Sequence, residues 1–134
     1  MSRFLKIDTE SARPIFQQVV DAIERKILSG EFAEGSFLPS VRDLALDLGI
    51  NPNTVARAFL QLQRDGIVES VRGLGLRVKE LRDRERDARR EKILVEKCVE
   101  FVETTESLHV AWGEALDQLN RVRKGRAKWK PQAL

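Results

Sequence analysis

The side chains of this sequence best suited to chemistry are amides, hydroxyls and guanidinium groups. They gather between Asn51 and Arg64, where no acidic residue occurs although the chain carries 21. Asn51, Asn53 and Thr54 supply donors and acceptors that match base edges or phosphate oxygens, and Arg57 adds a rigid fork of donors with a permanent charge. A phosphate backbone would meet no repulsion there. Further on, Arg72, Gly73 and Gly75 fall in a basic, turn-forming Arg-Gly-Leu-Gly run.

Covalent and metal chemistry fit poorly. With one histidine, His109, and one cysteine, Cys98, a nucleophile and base would have to come from distant parts of the chain. The same two residues cannot supply the three or four soft ligands of a monomeric metal site. Gly73-Leu74-Gly75 is followed by neither the Lys-Ser/Thr pair nor the helix of a phosphate loop, so it reads as a hairpin tip. The expectation is a binding protein, not an enzyme, with no cofactor and no metal.

The elements that must position these side chains are legible. Ser40 can cap a helix at the Asp43 amide while the Asp43 carboxylate reaches back, and Val41, Leu44, Ala45 and Leu48 then form one apolar stripe up to Gly49. Asn51 caps a second helix, with Pro52 in its first position, and Val55, Ala58, Phe59 and Leu62 form its buried stripe. Asn53, Arg57 and Arg64 point the other way. Two short helices joined by a tight turn make a helix-turn-helix.

An earlier helix runs from Pro14 to Gly30, with Ile15, Val19, Ile23 and Ile27 on its apolar face, backed by Phe16 and Val20. Phe4, Leu5 and Ile7 precede it as a short strand or an arm. Glu31 to Leu38 is a connection with Phe32, Phe37 and Leu38 as anchors into the core. After Gly66, the strand-like segments 67–71 and 76–79 flank the glycine-bearing turn as a wing.

Composition changes at Glu80. Residues 80–92 are almost entirely charged and read as a long exposed helix, with Leu81 and Ala88 their only apolar residues. From Ile93 the helix becomes apolar, with Leu94, Cys98, Phe101 and Val102 on one side and Val95 and Val99 beside them. Leu108-His109-Val110 breaks it, His109 taking a helix-end position of positive φ that glycine often fills. A last helix restarts at Ala111 or Trp112 with Ala115, Leu116, Leu119 and Val122 as its stripe. These faces are wider than one hairpin can bury, so Leu94, Cys98, Phe101, Val102, Trp112, Leu116 and Leu119 are expected to meet a second copy.

The chain has 134 residues, 42% hydrophobic and 34% charged, with a net charge of +3. The modest total hides a basic terminus: Arg121, Arg123, Lys124, Arg126, Lys128 and Lys130 occur without an acid. A solvated tail is the simpler reading and a second contact with nucleic acid the alternative. Cys98 alone cannot form an internal disulfide and is compatible with a reducing cytosol. Neither a signal peptide nor an apolar run near the ~20 residues of a membrane span is present, which implies a cytoplasmic protein without a membrane partner.

Taken together, PIFQQVVDAI, G-E-F-x-E-G-S-x-LPS-x-R-x-L-A, G-I-NPNTVARAF-x-x-L and DGIVES-x-RG-x-G closely resemble the winged-helix domain of GntR-family bacterial transcription regulators. The resemblance covers about residues 4–79. It implies DNA contacts from Arg42, from Asn51, Asn53, Thr54 and Arg57, and from Arg72, Gly73 and Gly75; the Ser40 hydroxyl beside Arg42 completes the candidate set. The short region after the wing is similar to that of the YtrA subfamily, which implies a dimerisation element and control of transporter genes, often ABC-type.

The fold expected is mainly α with a small β wing: a winged helix-turn-helix domain over 1–79, then a helical hairpin for dimerisation over 80–134 with a basic tail. The function expected is a homodimeric, sequence-specific regulator, most simply a repressor, bound to an inverted-repeat operator in double-stranded DNA. It would act on an ABC-type transporter operon and on its own gene. A small-molecule effector of unidentified chemistry is the remaining partner, and a non-specific architectural DNA binder is the rival reading.

Overall fold

The computed structural model describes residues 5–125. Phe4 and the tail residues Arg126, Lys128, Trp129 and Lys130 lie outside them. The chain divides into two compact units, Met1–Arg89 and Arg90–Leu134.

In the first unit, α1 (Ile15–Leu28) starts behind Pro14, whose missing amide is no loss at a helix start, and buries Val19, Val20, Ile23, Ile27 and Leu28. Among the described residues ahead of it, 5–14, no strand forms. Leu5 is buried, and Gln18 clamps the arm by accepting from the Asp8 amide at 2.8 Å and donating to the Asp8 carbonyl at 2.9 Å.

Helix α2 (Val41–Leu48) begins at Ser40, whose hydroxyl accepts from the Asp43 amide at 3.0 Å. Among the described residues no bond returns from the Asp43 carboxylate, so only half of the expected capping box forms. Aspartate is one methylene shorter than the glutamate that usually closes the box. Gly49 ends the helix at φ 67°, and the Ile50 and Gly49 amides donate to the carbonyls of Ala45 and Leu46. That paired closure requires a left-handed residue, and glycine takes the conformation without a Cβ clash.

Helix α3 (Pro52–Arg64) follows at once, its start fixed by the Asn51 side chain accepting from the Asn53 amide at 2.8 Å. It buries Val55, Ala58, Phe59 and Leu62 against α1 and α2. A fully buried Leu or Val contributes about 1.5–3 kcal/mol, so this stripe fixes the rotation of the helix and, with it, which side chains face solvent.

Strands β1 (Val68–Val71) and β2 (Gly75–Val78) pair antiparallel, Val68 opposite Val78 and Val71 opposite Gly75. Residues 36–38 lie along the other edge of β2: Leu38 donates to the Leu76 carbonyl at 2.8 Å and Val78 to the Ser36 carbonyl at 2.8 Å. The expected connection thus also covers the wing's free edge. Leu38 is buried, but Phe37 is 43% exposed and does not anchor the core as expected. Successive side chains of an extended segment point to opposite faces, so only one of the pair can turn inward.

Helix α4 (Asp83–Ser107) opens in the first unit and continues into the second. Its charged beginning is docked where full exposure was expected. Leu81 is buried, the Arg86 guanidinium pairs with Glu34, and Arg89 donates to the Asp65 carbonyl at the end of α3.

In the second unit α4 ends on His109 at φ 55°, with the Val110 and His109 amides donating to the carbonyls of Thr105 and Glu106. This is the closure made at Gly49, with histidine in the left-handed place as its sequence position implied. Helix α5 (Trp112–Gly125) then runs on. Thr105 and Ala115 are buried, and the Phe101 and Trp112 rings meet edge to face at 6.3 Å. Leu94, Val95, Val99, Leu108, Trp112, Leu116, Leu119 and Val122 remain exposed. None of the helices among the described residues is long and apolar enough to cross a membrane.

Candidate nucleic-acid interface

The start of α3 carries four of the nine expected contact residues: Asn51, Asn53, Thr54 and Arg57. Asn53, Thr54 and Arg57 line one surface hollow together with Ile15 and Phe16 of α1. Asn53 and Arg57 are exposed and Thr54 half-buried. The buried stripe of Val55, Ala58 and Phe59 turns the intervening positions outward, as helical periodicity requires. The Arg57 guanidinium lies over the Phe16 ring, 3.7 Å from its centroid.

Asn51 and Ser40 have a second duty. Each commits one lone pair of its side-chain oxygen to a helix cap, so the Asn51 amide donors and the Ser40 hydroxyl hydrogen are the groups the caps leave untouched for a partner. Both caps are exposed. They mark the N-termini of α2 and α3, where free backbone amides and the helix dipole favour a phosphate. Arg42 is exposed in the first turn of α2, and among the described residues no ion pair engages it.

In the wing, Arg72, Gly73 and Gly75 are exposed at the tip, and both glycines hold positive φ, 80° and 113°. Side chains rarely adopt those angles, so the tip stays narrow and presents backbone. Arg77 is the other wing arginine. Its guanidinium is spent on Glu69, directly opposite across the pair, at 2.6 Å. Of the two wing arginines, Arg72 is therefore the one without a carboxylate partner among the described residues.

Arg42, Arg57 and Arg72 thus stand exposed and without a carboxylate partner among the described residues, on α2, α3 and the wing of one compact unit. The signature "Bacterial regulatory proteins, gntR family" matches residues 15–78, from the start of α1 to the end of β2. A Bacillus subtilis protein, the uncharacterized HTH-type transcriptional regulator YhcF, is 32% identical over 87% of this chain and 95% of its own length. The chain belongs to the GntR family.

A GntR-family regulator from Listeria monocytogenes superposes with a TM-score of 0.68 at 30% identity, over 84% of this chain and 98% of that one. The winged-helix fold is therefore shared, and the chain sits among transcription regulators, not enzymes. The B. subtilis transcriptional repressor YtrA is 41% identical over 57% of this chain, a stretch that spans only 58% of YtrA.

Periodicity located α3 and the wing, but it missed Phe16 as part of the site. Phe16 reads as an ordinary member of the α1 stripe, and only tertiary packing brings it under Arg57. Arg86 and Arg89 also escaped notice, although their spacing of three on one helix face was the available signal.

Proposed function

We propose that this GntR-family regulator is a homodimeric, sequence-specific repressor that acts by occluding a promoter. The α3 face reads base edges in the major groove through Asn53 and Arg57. Arg42, Thr54 and the capped starts of α2 and α3 hold phosphates, and the wing tip lies along the neighbouring groove, where Arg72 meets a phosphate at its edge. The observation that carries this reading is the set of exposed cations, Arg42, Arg57 and Arg72, that meet no carboxylate partner among the described residues, beside the acid-free face of α3.

Support for the dimer comes from the exposed apolar residues of the second unit, Leu94, Val99, Trp112, Leu116 and Leu119 among them. One recognition helix reads only a few base pairs. Joining two converts the second contact into an intramolecular event and can raise affinity by about 10²–10⁴. The operator is then an inverted repeat, and a cytoplasmic location follows from that target. The likeness to YtrA, named a transcriptional repressor, favours repression; a transporter operon and the protein's own gene are the first targets to examine.

Selection of bound duplexes from random DNA, followed by footprinting, tests the proposal. One preferred palindrome, protected on both half-sites and resistant to unrelated competitor, is the expected result. Binding that grows with duplex length and shows no preferred site would support the architectural reading instead.

A further inference from the structure

Phe16 belongs to α1, yet its ring lies beneath the Arg57 guanidinium of α3 at 3.7 Å. The separation is van der Waals contact, well inside the roughly 6 Å within which a ring face attracts a cation. Both side chains line the hollow that also contains Asn53 and Thr54. Among the described residues no carboxylate forms an ion pair with Arg57. The ring is the group that holds it.

We infer that Phe16 is a positioning residue for base reading: it fixes the Arg57 guanidinium in its DNA-reading orientation and so helps set specificity at the base pair Arg57 contacts. The inference rests on the reading of α3 proposed above. A free arginine samples many rotamers and loses that freedom when it engages a base, whereas a guanidinium laid on a ring has lost much of it beforehand. The flat face is used in stacking, and the in-plane N–H donors stay available. A carboxylate in place of the ring would hold Arg57 as firmly, but it would consume donors and cancel the charge that draws a phosphate backbone. Phe16 is also only part-buried, unlike Val19 and Ile23 on the same helix. Its ring is thus available to Arg57 at the rim of the core.

The test uses the operator obtained by selection with the wild-type protein, and a duplex of unrelated sequence at the same salt. Phe16→Leu is expected to weaken operator binding about threefold to tenfold, to leave the unrelated duplex unaffected, and to flatten preference at the base pair that Arg57→Ala also flattens. Phe16→Tyr keeps the ring and restores binding. The double variant Phe16→Leu/Arg57→Ala loses no more than Arg57→Ala alone. Pentafluorophenylalanine at position 16 separates stacking from packing, because it keeps the ring's shape and reverses the charge of its face. It should reproduce the loss seen with leucine. Additive losses, equal losses on both duplexes, or wild-type binding by the fluorinated protein would overturn the inference. If Arg57→Ala leaves operator binding and base preference untouched, the reading of α3 fails and takes this inference with it. If Arg57→Ala flattens one position and the Phe16 variants do not, only the role of Phe16 falls.

Discussion

Asn53 and Arg57 are exposed on α3, so truncating either opens no cavity in the core. Asn53→Ala and Arg57→Ala are each expected to weaken operator binding by about 1–3 kcal/mol, measured by competition shift; in thermal denaturation Asn53→Ala should match the wild type, while Arg57→Ala gives up its Phe16 contact and about 0.5–1 kcal/mol of stability. Arg72→Ala should behave differently, because a phosphate contact carries no sequence information. Affinity should fall on every duplex alike, and the slope of log K against log salt should shrink by about 0.9 for the one lost contact. Three variants with unchanged operator binding would remove this surface from consideration. Asn51→Ala is a poorer probe. Its oxygen caps α3, and loss of the cap costs about 1 kcal/mol of stability, which would mix folding with binding.

At the scale of elements, the ends of the helices decide where the interface lies. Gly49 and His109 close α2 and α4 in the same left-handed manner, but histidine carries a Cβ that this conformation crowds. His109→Val is expected to destabilise by about 1–2 kcal/mol, since a β-branched residue tolerates positive φ worst, and His109→Gly by much less or not at all. Equal melting temperatures for the two would mean that the turn at His109 relaxes freely. The histidine turn was legible in the sequence because a helix stop there is a local matter of spacing and φ tolerance. So were α2, α3 and the wing, where caps, Pro52 and glycines state each boundary within a few residues. Less legible were features fixed by distant partners. The edge pairing of residues 36–38 on β2, the docking of Arg86 on Glu34 and of Arg89 on the Asp65 carbonyl, and the Phe16–Arg57 stack all join residues with no local pattern between them. Outward-facing residues on a periodic helix can be read from one sequence, but what they touch cannot.

For the whole molecule the open matter is what covers the second unit. Thr105 and Ala115 are buried there, while Leu94 stays 65% exposed, Leu116 40% and Leu119 44%. Water-facing apolar area on that scale is unfavourable at ~25 cal/mol per Å², and a second copy related by a two-fold axis would remove it from both chains at once. The same axis would present two α3 helices to DNA, with the charged turns of α4 linking each reading head to the shared interface. Phe101→Glu places a charge in this face, but it also breaks the Phe101–Trp112 ring contact and could loosen the hairpin itself. Leu94→Glu makes the cleaner experiment, because its exposed side chain gives up little packing inside one chain. Sedimentation at micromolar concentration should show Leu94→Glu as a monomer that keeps its helical content. Its affinity for a single half-site should match that of the wild type. On the full inverted repeat it should lose the factor of about 10²–10⁴ that linkage of two sites provides. A Leu94→Glu protein that stays dimeric and binds the full operator as the wild type does would place the two-fold contact elsewhere.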